Sequence, residues 1–256
     1  MAPLIIHQTH ACAEAGLPRL LASLRRTVVE LNPQAEHRFW SDADLEALLA
    51  RSYPGLLPAF RSARVGVQRS DLGRLAVLHS LGGLYLDTDV ECLRAFGQPL
   101  VGGPRLAVAP EPQAQVDALY GGGQYLCNAV LYAPAGDAFL ASCLARAEEM
   151  WAAQGPAMWA RFDVLGGRLL SEVRQRRPDL PLDVVPAATC YPMNDLKLTD
   201  LPSHAADREA ARLGRFGPDA QAVHWWLHTN FEGRAAVARH DRAWPCLAEL
   251  YGLSSA

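Results

Sequence analysis

The fold is decided by the stretch His79-Ser-Leu-Gly-Gly-Leu-Tyr-Leu-Asp-Thr-Asp-Val-Glu-Cys-Leu93. A short apolar strand over residues 84–86 runs directly into Asp87 and Asp89. Side chains two residues apart on an extended strand point the same way, so both carboxylates are expected to face one site. Paired carboxylates repel each other unless a positive group lies between them. A hard divalent cation takes such oxygen ligands and commonly shares them with phosphate. The alternative is a plain surface turn after the strand.

The residues upstream of this strand have a helical pattern. Apolar residues recur with a helical period over 70–81, and two glycines then end the helix. If helix and strand are antiparallel, Asp71 lies about 15 Å back along the helix, at ~1.5 Å per residue. Asp87 lies about 13 Å forward along the strand, at ~3.3 Å per residue. We therefore expect Asp71 and Asp87 to meet at one end of the unit, with Arg74 on the same helix face as Asp71. An exposed Asp71–Arg74 helix pair of small energy is the alternative.

These residues carry a resemblance to a known family. Ser70-Asp71-x-x-Arg74, followed by Leu-Gly-Gly-Leu-Tyr-Leu-Asp-Thr-Asp-Val, resembles the DXD glycosyltransferases typified by yeast initiating α-1,6-mannosyltransferase, whose core clostridial glucosylating toxins share. The close match covers residues 68–94. Looser matches occur at Leu4–Thr9, at Tyr191-Pro192 and at Ala222–Trp226. The resemblance implies a single GT-A-type α/β domain over residues 1–256, and a metal-dependent, retaining enzyme that uses sugar nucleotides.

The resemblance also implies roles for particular residues. Asp71 and Arg74 would contact donor-sugar hydroxyls, and Asp87 would contact the ribose or the sugar. Asp87, Asp89 and His224 would hold the metal ion. We expect Mn²⁺ (or Mg²⁺), because imidazole together with carboxylates suits Mn²⁺ better than Ca²⁺. A hydrogen-bonded core histidine is the alternative reading of His224.

A wider set of residues is expected to contact the donor nucleotide. His10 stands near the position where relatives carry a tryptophan that stacks on the base, and Thr229 would keep a hydroxyl near the phosphates. Asn230 stands where relatives carry another tryptophan, which puts contacts from that loop in doubt. Asn128 would contact the donor sugar or the acceptor, or cap a strand instead. The full set, besides Asp71, Arg74 and Asp87, is Ile6, His7, Gln8, His10, Tyr85, Thr88, Asn128 and Thr229.

Strand and helix patterns alternate along the chain, which predicts an α/β fold with a mostly parallel central sheet flanked by helices. Ligands in such sheets bind at the carboxyl ends of the strands, where Asp87 and Asp89 fall. Residues 97–124 and 186–220 are less regular and are expected to form substrate loops. Strands are predicted at 4–8, 37–40, 84–86, 106–109, 125–132, 182–185 and 222–227, and helices at 17–31, 42–51, 70–81, 137–152 and 161–176.

Composition limits the partners and the location. The chain has 27 acidic and 24 basic residues, a net charge of −3, which gives no signature of nucleic-acid binding. No apolar run approaches the roughly 18 residues of a transmembrane span, and the start lacks the features of a signal peptide. We therefore expect a cytoplasmic enzyme with peripheral contact at the inner membrane face. The six cysteines lack Cys-x-x-Cys clustering and are expected to be free thiols.

The expected activity is transfer of a sugar from a UDP- or GDP-sugar to a saccharide or lipid-linked acceptor, in bacterial surface-glycan synthesis. No nucleophile is obvious, so the resemblance implies front-face attack with retention. Two alternatives remain. A haloacid-dehalogenase-type phosphatase would place its Asp-x-Asp after the first strand and would need a later lysine, for which only Lys197 is available. A non-catalytic sugar-binding module would hold the metal without turnover.

Overall fold

A six-stranded sheet forms the centre of the computed structural model, which describes residues 3–161, 163–193 and 216–227. Its neighbouring strands follow the order β2-β1-β3-β6-β5-β7, and β4 pairs with β8 in a separate two-stranded antiparallel sheet. The strands are β1 Ile5–Thr9, β2 Glu36–Trp40, β3 Gly83–Leu86, β4 Val90–Cys92, β5 Ala107–Pro110, β6 Leu126–Ala133, β7 Asp183–Val184 and β8 Ala222–His224.

Three of the five neighbouring pairs in the large sheet are parallel: β1–β2, β1–β3 and β5–β7. Strand β6 runs antiparallel to β3 and β5. The prediction of an α/β fold with a mostly parallel sheet is therefore confirmed. The reversed direction of β6 has a consequence for the site, because the beginning of β6 lies beside the end of β3. The backbone N–H of Asp87 donates to the carbonyl of Ala129 at 2.8 Å.

The helices begin and end where local chemistry dictates. Helix α2 starts at a capping box in which Ser41 and Asp44 satisfy each other's backbone N–H, as the sequence indicates. Helix α4 ends at Gly82, whose φ of 64° is a left-handed value that suits glycine. The helices are α1 Arg19–Leu31, α2 Asp42–Ser52, α3 Leu57–Ser62, α4 Gly66–Leu81, α5 Gln113–Tyr120, α6 Ala138–Gln154, α7 Gly167–Arg176 and α8 Ala187–Cys190.

Alternate residues of β3 enter opposite faces of the sheet. Tyr85 belongs to a core with helices α2, α3, α4, α6 and α7, whereas Leu84 and Leu86 belong to a second core with α8 and β8. Helix α4 is buried along most of its length and packs between the sheet and its neighbouring helices. Such burial fixes the position of α4 against β3, which is what places Asp71 beside the end of the strand.

The structure departs from the expected elements in several places. The predicted strand 106–109 is present as β5, but the supposed loop 97–124 also contains helix α5, which no side chain caps at its N-terminus. Strand β4 follows the carboxylates so closely that its three residues have no separate pattern. The helix expected from residue 161 begins only at Gly167. A 3-10 helix, Gly155–Ala160, precedes it in the chain. Within the expected loop 186–220, residues 187–190 form α8, and 194–215 lie outside the described residues.

No helix in the described ranges is both long enough and apolar enough to cross a membrane.

Candidate functional site

The predicted meeting of helix α4 with the end of β3 is confirmed. One guanidinium nitrogen of Arg74, Nη2, lies 3.0 Å from Oδ1 of Asp71 and 3.0 Å from Oδ1 of Asp87. The other terminal nitrogen, Nη1, donates to the backbone carbonyl of Asn128 at 2.7 Å. Arg74 is only 2% exposed, so these contacts take place away from bulk water. We call Asp71, Arg74, Asp87 and Asn128 the Arg74 network.

The amide of Asn128 joins this network through Asp71. Its Nδ2 donates to Oδ1 of Asp71 at 2.8 Å, which ties β6 to α4 across the end of β3. A Cβ atom built at Gly166 would lie 3.3 Å from Oδ2 of Asp71, so the chain before α7 passes directly over this carboxylate. The side chain of Asn128 therefore contacts the network, and its predicted place at the donor site is consistent with the geometry.

Hydroxyl groups surround the Asp87 carboxylate on its other side. Tyr85 donates its hydroxyl to Oδ1 of Asp87 at 2.7 Å. The same hydroxyl lies 2.9 Å from Oγ1 of Thr9 and 3.1 Å from Oγ of Ser70. Gln8 donates to the backbone carbonyl of Asp87 at 3.3 Å. Asp87 is thus held in place by side chains from β1, α4 and β3.

A second group of side chains could hold a divalent metal ion. Ligand atoms of Asp87, Asp89 and His224 lie within 4.8 Å of one another, and we call these residues the metal-ligand group. Nε2 of His224 lies 3.1 Å from Oδ1 of Asp89, and the backbone N–H of Leu227 donates to Oδ2 of Asp89 at 3.0 Å. The other ring nitrogen of His224, Nδ1, is buried with no hydrogen-bond partner among the described residues. Two carboxylates and an imidazole are a donor set that fits Mn²⁺ or Mg²⁺.

The pairing of β4 with β8 brings the histidine to the carboxylates. His224 lies opposite Val90 in this antiparallel pair, next to Asp89. Its ring centroid is 4.2 Å from that of Trp226 and 6.1 Å from that of Tyr191. Trp226 has a φ of 51°, an uncommon conformation for a bulky residue. The chain therefore turns sharply just after His224, which directs the backbone N–H of Leu227 to Asp89.

Burial and crowding of like charges raise the pKa values of these acids. Burial raises the pKa of Asp71 to about 6, although Arg74 opposes the shift. Burial also raises the pKa of Asp87, with the charge of Arg74 acting against it and that of Asp89 adding to it. Burial lowers the pKa of His224, but Asp89 outweighs this effect and the pKa is raised. The site therefore favours added positive charge, which a proton or a metal ion supplies.

The side chains of Ile6 and His7 pack inside the fold, and donor contact by these two residues stays a prediction. Ile6 is fully buried in the second core. His7 is fully buried as well, with Nε2 2.8 Å from the carbonyl of Gly82 and Nδ1 accepting from the Trp40 indole at 3.2 Å. Burial lowers the pKa of His7 to about 4, so the imidazole is neutral. Both side chains pack the first strand against neighbouring parts of the fold. This packing explains why a strand that begins with apolar residues carries a buried histidine.

Gln8 and Tyr85 reach the site only indirectly. Both are fully buried and both bond to Asp87, while donor contact by these residues stays a prediction. Arg25 donates to Oε1 of Gln8 at 2.9 Å and fixes its orientation. Gln8 and Tyr85 therefore position Asp87. The alternation of side chains along a strand cannot distinguish such a positioning role from direct contact with a ligand.

The remaining expected donor residues keep their status as predictions. His10 is partly exposed, and its Nδ1 lies 3.0 Å from the sulfur of Cys12. Thr88 is partly exposed in the turn between the two carboxylates. Thr229 lies outside the described residues, as do Asn230 and Lys197. Sequence reasoning did not assign roles to Thr9 and Ser70, although the Ser70-Asp71 pair of the motif was a signal for the second.

Comparison with known proteins gives a family match over the region that holds most of this site. Residues 18–106 match the family model described as a glycosyltransferase sugar-binding region containing a DXD motif. The chain is 33% identical over 94 residues to inositol phosphoceramide mannosyltransferase 3 of Schizosaccharomyces pombe, and 36% identical over 90 residues to inositol phosphoceramide mannosyltransferase 2 of the same yeast. These regions make up 37% and 35% of this chain and 26% of each relative. The match therefore spans about a quarter of the length of these relatives.

Two solved structures of glycosyltransferases match this chain at low similarity. The PaToxG glycosyltransferase superposes with a TM-score of 0.47 and 13% identity, covering 97% of this chain and 87% of that one. A galactosyltransferase, LgtC, in complex with donor and acceptor sugar analogues, superposes with a TM-score of 0.45 and 17% identity, covering 99% and 97%.

Proposed function

Because residues 18–106 carry the sugar-binding region of DXD glycosyltransferases, we propose that this chain transfers a hexosyl group from a nucleotide sugar to an acceptor, with a divalent metal ion. One observation supports the proposal above the others. Asp87 belongs both to the Arg74 network and to the metal-ligand group, so a carboxylate with 23% of its side chain exposed joins the two. A nucleotide sugar needs such a junction, since its sugar and its diphosphate are adjacent.

The metal-ligand group would hold Mn²⁺ or Mg²⁺, which when bound supplies Lewis-acid stabilisation of the diphosphate leaving group. Asp89 is prepared for this role, because the Leu227 N–H and His224 fix its carboxylate. Asp87 and Asn128, both partly exposed, are placed to meet the donor sugar. Orientation of the sugar by such groups lowers the entropic part of the barrier.

Arg74 and Asp71 act mainly as positioning residues in this proposal. They are 2% and 3% exposed, and the guanidinium nitrogens of Arg74 are occupied by Asp71, Asp87, Ser70 and Asn128. The charges of Asp87, Tyr85 and Asp71 outweigh the effect of burial and raise the pKa of Arg74, so this residue stays protonated. A permanently charged guanidinium opposes the rise in the pKa of Asp87 and orients its carboxylate for a metal ion.

The finer features of the reaction follow from the family resemblance. On the family resemblance we propose retention of the anomeric configuration. Because Asp71 and Asp87 are both engaged by Arg74 and neither is a free nucleophile, we propose front-face attack rather than a covalent intermediate as its route. The names of the S. pombe relatives support mannose as the hexose and a lipid-linked acceptor. A UDP- or GDP-sugar, a role in bacterial surface-glycan synthesis and a cytoplasmic location complete the proposal.

Release of nucleoside diphosphate from a panel of UDP- and GDP-sugars tests the function. We expect release with MnCl₂ or MgCl₂, its loss with EDTA, and its loss in Asp89→Asn. Asp179→Asn serves as the matched control, because Asp179 is an exposed partner of Arg177 far from the carboxylates in the fold. Binding of nucleotide without any turnover would support the sugar-binding module instead.

The phosphatase alternative makes a different prediction, namely release of inorganic phosphate from phosphate esters. The structure gives it little support, since the carboxylate pair follows β3 and the first strand ends at Thr9. Phosphate release that survives in the absence of nucleotide sugar, and is lost in Asp87→Asn, would overturn the glycosyltransferase proposal.

A further inference from the structure

Two tyrosine rings stack at the surface between α5 and β6. The rings of Tyr120 and Tyr125 are 4.2 Å apart at their centroids and inclined by 11°. Between them, Gly121, Gly122 and Gly123 all have positive φ values, of 76°, 104° and 92°. Glycine adopts this region at little cost, and the three residues turn the chain back so that one ring covers the other. We call Tyr120 and Tyr125 the tyrosine pair.

Tyr120 is exposed although its ring is large and apolar, and Tyr125 is half-buried beneath it. Tyr120 is 41% exposed and the neighbouring Leu119 is 51% exposed. The two belong to the few large hydrophobic side chains of the described residues that are exposed to this extent. An exposed aromatic face in a fixed orientation is characteristic of a surface that binds a ligand.

The pair lies beside the Arg74 network. A Cβ atom built at Gly167 would lie 2.7 Å from Cε1 of Tyr125, so this ring packs directly on the start of α7. A Cβ atom at the preceding residue, Gly166, would lie 3.3 Å from Oδ2 of Asp71 and 3.4 Å from Nδ2 of Asn128. Two consecutive glycines therefore lie between the Tyr125 ring and the Arg74 network.

Charged groups surround the rings. The Tyr125 hydroxyl donates to Oδ2 of Asp163 at 3.5 Å. Arg161 and Arg168 pair with the same carboxylate at 3.1 Å and 3.2 Å, and both guanidinium groups are partly exposed. These pairs lower the pKa of Asp163 despite its burial, so the carboxylate is ionised at neutral pH. The surface thus combines an apolar aromatic face with a rim of donors and an acceptor.

We propose that the tyrosine pair, with Asp163 on its rim, binds the acceptor saccharide, whose ring stacks on Tyr120. The proposal rests on the glycosyltransferase function. A sugar ring has one face of C–H bonds and an edge of hydroxyls, so it matches an aromatic face beside a carboxylate and guanidinium groups. A lipid tail or a second copy of this chain would match the rings but would gain nothing from the charged rim. The position next to the Arg74 network lets an acceptor hydroxyl approach the donor sugar.

The test measures binding of methyl α-mannoside, methyl α-glucoside and methyl β-galactoside by saturation-transfer NMR titration of the full chain. Donor and metal are left out, so this arm does not depend on turnover. We expect a glycoside to bind the wild type, and Tyr120→Ala to weaken its binding fivefold or more. Tyr120→Phe keeps the ring and should bind within about twofold of the wild type. Leu119→Ala is the matched control, since it removes an exposed apolar side chain without an aromatic face.

A second readout links the surface to transfer. In the wild type, the best-binding glycoside should raise nucleotide release above the rate with water alone, and the ratio of the two rates should fall tenfold or more in Tyr120→Ala. Melting temperatures of the variants verify folding, and Tyr120→Phe remains informative if Tyr120→Ala unfolds. The proposal is overturned if no glycoside binds the wild type or if folded Tyr120→Ala binds the glycoside as the wild type does. It is overturned as well if Leu119→Ala weakens glycoside binding as much as Tyr120→Ala. It is also overturned if sedimentation shows that Tyr120 mediates self-association instead. Absence of nucleotide-sugar turnover with intact glycoside binding would count against the proposed function alone.

Discussion

Asp71 is a carboxyl group whose surroundings oppose its charge. It is 3% exposed, and burial raises its pKa from the ordinary 3.8 to about 6 even though Arg74 lies 3.0 Å away. The native state therefore binds this proton more tightly than the unfolded chain does. The contribution of Asp71 to stability is present below about pH 4 and is lost as the pH rises to about 6. With ~1.4 kcal/mol per pKa unit, the loss amounts to roughly 3 kcal/mol.

This behaviour gives a prediction for Asp71→Asn, which does not titrate. Relative to the wild type, the variant should be more stable at pH 7.5 than at pH 4.5 by roughly 2 kcal/mol, because about a third of the loss in the wild type has already occurred at pH 4.5. Urea denaturation at the two pH values, in EDTA, measures the difference. An equal stability difference at both pH values, or a change of the opposite sign, would show that the carboxyl of Asp71 is not strained by burial.

The two parts of the site should separate under mutation. Asp71→Asn and Arg74→Lys remove contacts that orient Asp87 but leave the metal-ligand group intact, so metal-dependent binding of free UDP or GDP should persist. Turnover should fall roughly 10²-fold or more, because misplaced groups at the reacting sugar cost a few kcal/mol. Asp89→Asn should lose both properties. Calorimetry beside nucleotide-release assays checks this division.

Two outcomes of that comparison would contradict the assignment. One is wild-type turnover in Arg74→Lys, because a single ammonium cannot reproduce contacts to Asp71, Asp87 and the carbonyl of Asn128 together. The other is loss of nucleotide binding in Asp71→Asn to the same degree as in Asp89→Asn.

At the scale of elements, the turn from α4 into β3 depends on glycine. Gly83 has a φ of 110°, and a Cβ atom there would lie 2.3 Å from the carbonyl oxygen of Ile5 on the paired strand. Gly83→Ala combines backbone strain with a clash against backbone, so we expect a loss of about 3 kcal/mol or more in the free energy of unfolding. Turnover should fall as well, since the same turn aligns Asp71 with Asp87.

Gly136→Ala is the control for this prediction. Its φ is 73°, but a Cβ atom there has nothing within 4 Å. The substitution should cost only the strain of a left-handed residue, about 1–2 kcal/mol. Midpoints of urea denaturation compare the two variants. Equal losses would mean that the clash with Ile5 is relieved by a backbone shift.

Sequence reasoning placed the elements with strong local signals. The glycine after α4 marked a helix boundary that the structure confirms, and Asp71 could be located beside Asp87 because both belong to one helix–strand unit. The reversed direction of β6 could not be predicted, because a buried strand has the same apolar pattern in either direction. Helix α5 was not predicted, because its sequence has neither a capping residue at the N-terminus nor an apolar stripe.

Long-range contacts of the site were predictable only through the family resemblance. His224 lies 135 positions from its partner Asp89, and no local pattern connects them. The resemblance named the histidine correctly as a neighbour of the carboxylates. It did not distinguish residues that face a ligand from residues that support one, and the structure shows Gln8 and Tyr85 buried and bonded to Asp87.

At the scale of the whole molecule, the metal-ligand group connects the two sheets. Asp89 follows the large sheet and holds Leu227 and His224, which follow and end β8 of the small sheet. A bound metal ion should therefore oppose separation of β8 from β4. At a metal concentration of 100 times Kd, linkage contributes roughly 2.7 kcal/mol, or about a hundredfold in the opening equilibrium.

Hydrogen exchange read by mass spectrometry tests this coupling. With MnCl₂ in place of EDTA, peptides that contain Val90–Cys92 and Ala222–His224 should exchange more slowly, and the peptide of Glu36–Trp40 serves as a remote reference. Asp89→Asn should abolish the difference. Equal protection of all three peptides would indicate global stabilisation rather than closure of the small sheet.

The residues of the site are not all translated at the same time. Asp71, Arg74, Asp87 and Asn128 leave the ribosome early, whereas His224 follows Asn128 after a further 96 positions (224 − 128). At about 5–20 residues per second, roughly 5–20 s separate these events. During that interval a nascent chain has its sugar-side carboxylates but lacks the imidazole that completes the metal-ligand group. Tight capture of the cation therefore waits until β8 has paired with β4, so a loaded metal site reports a chain translated and folded at least as far as Leu227.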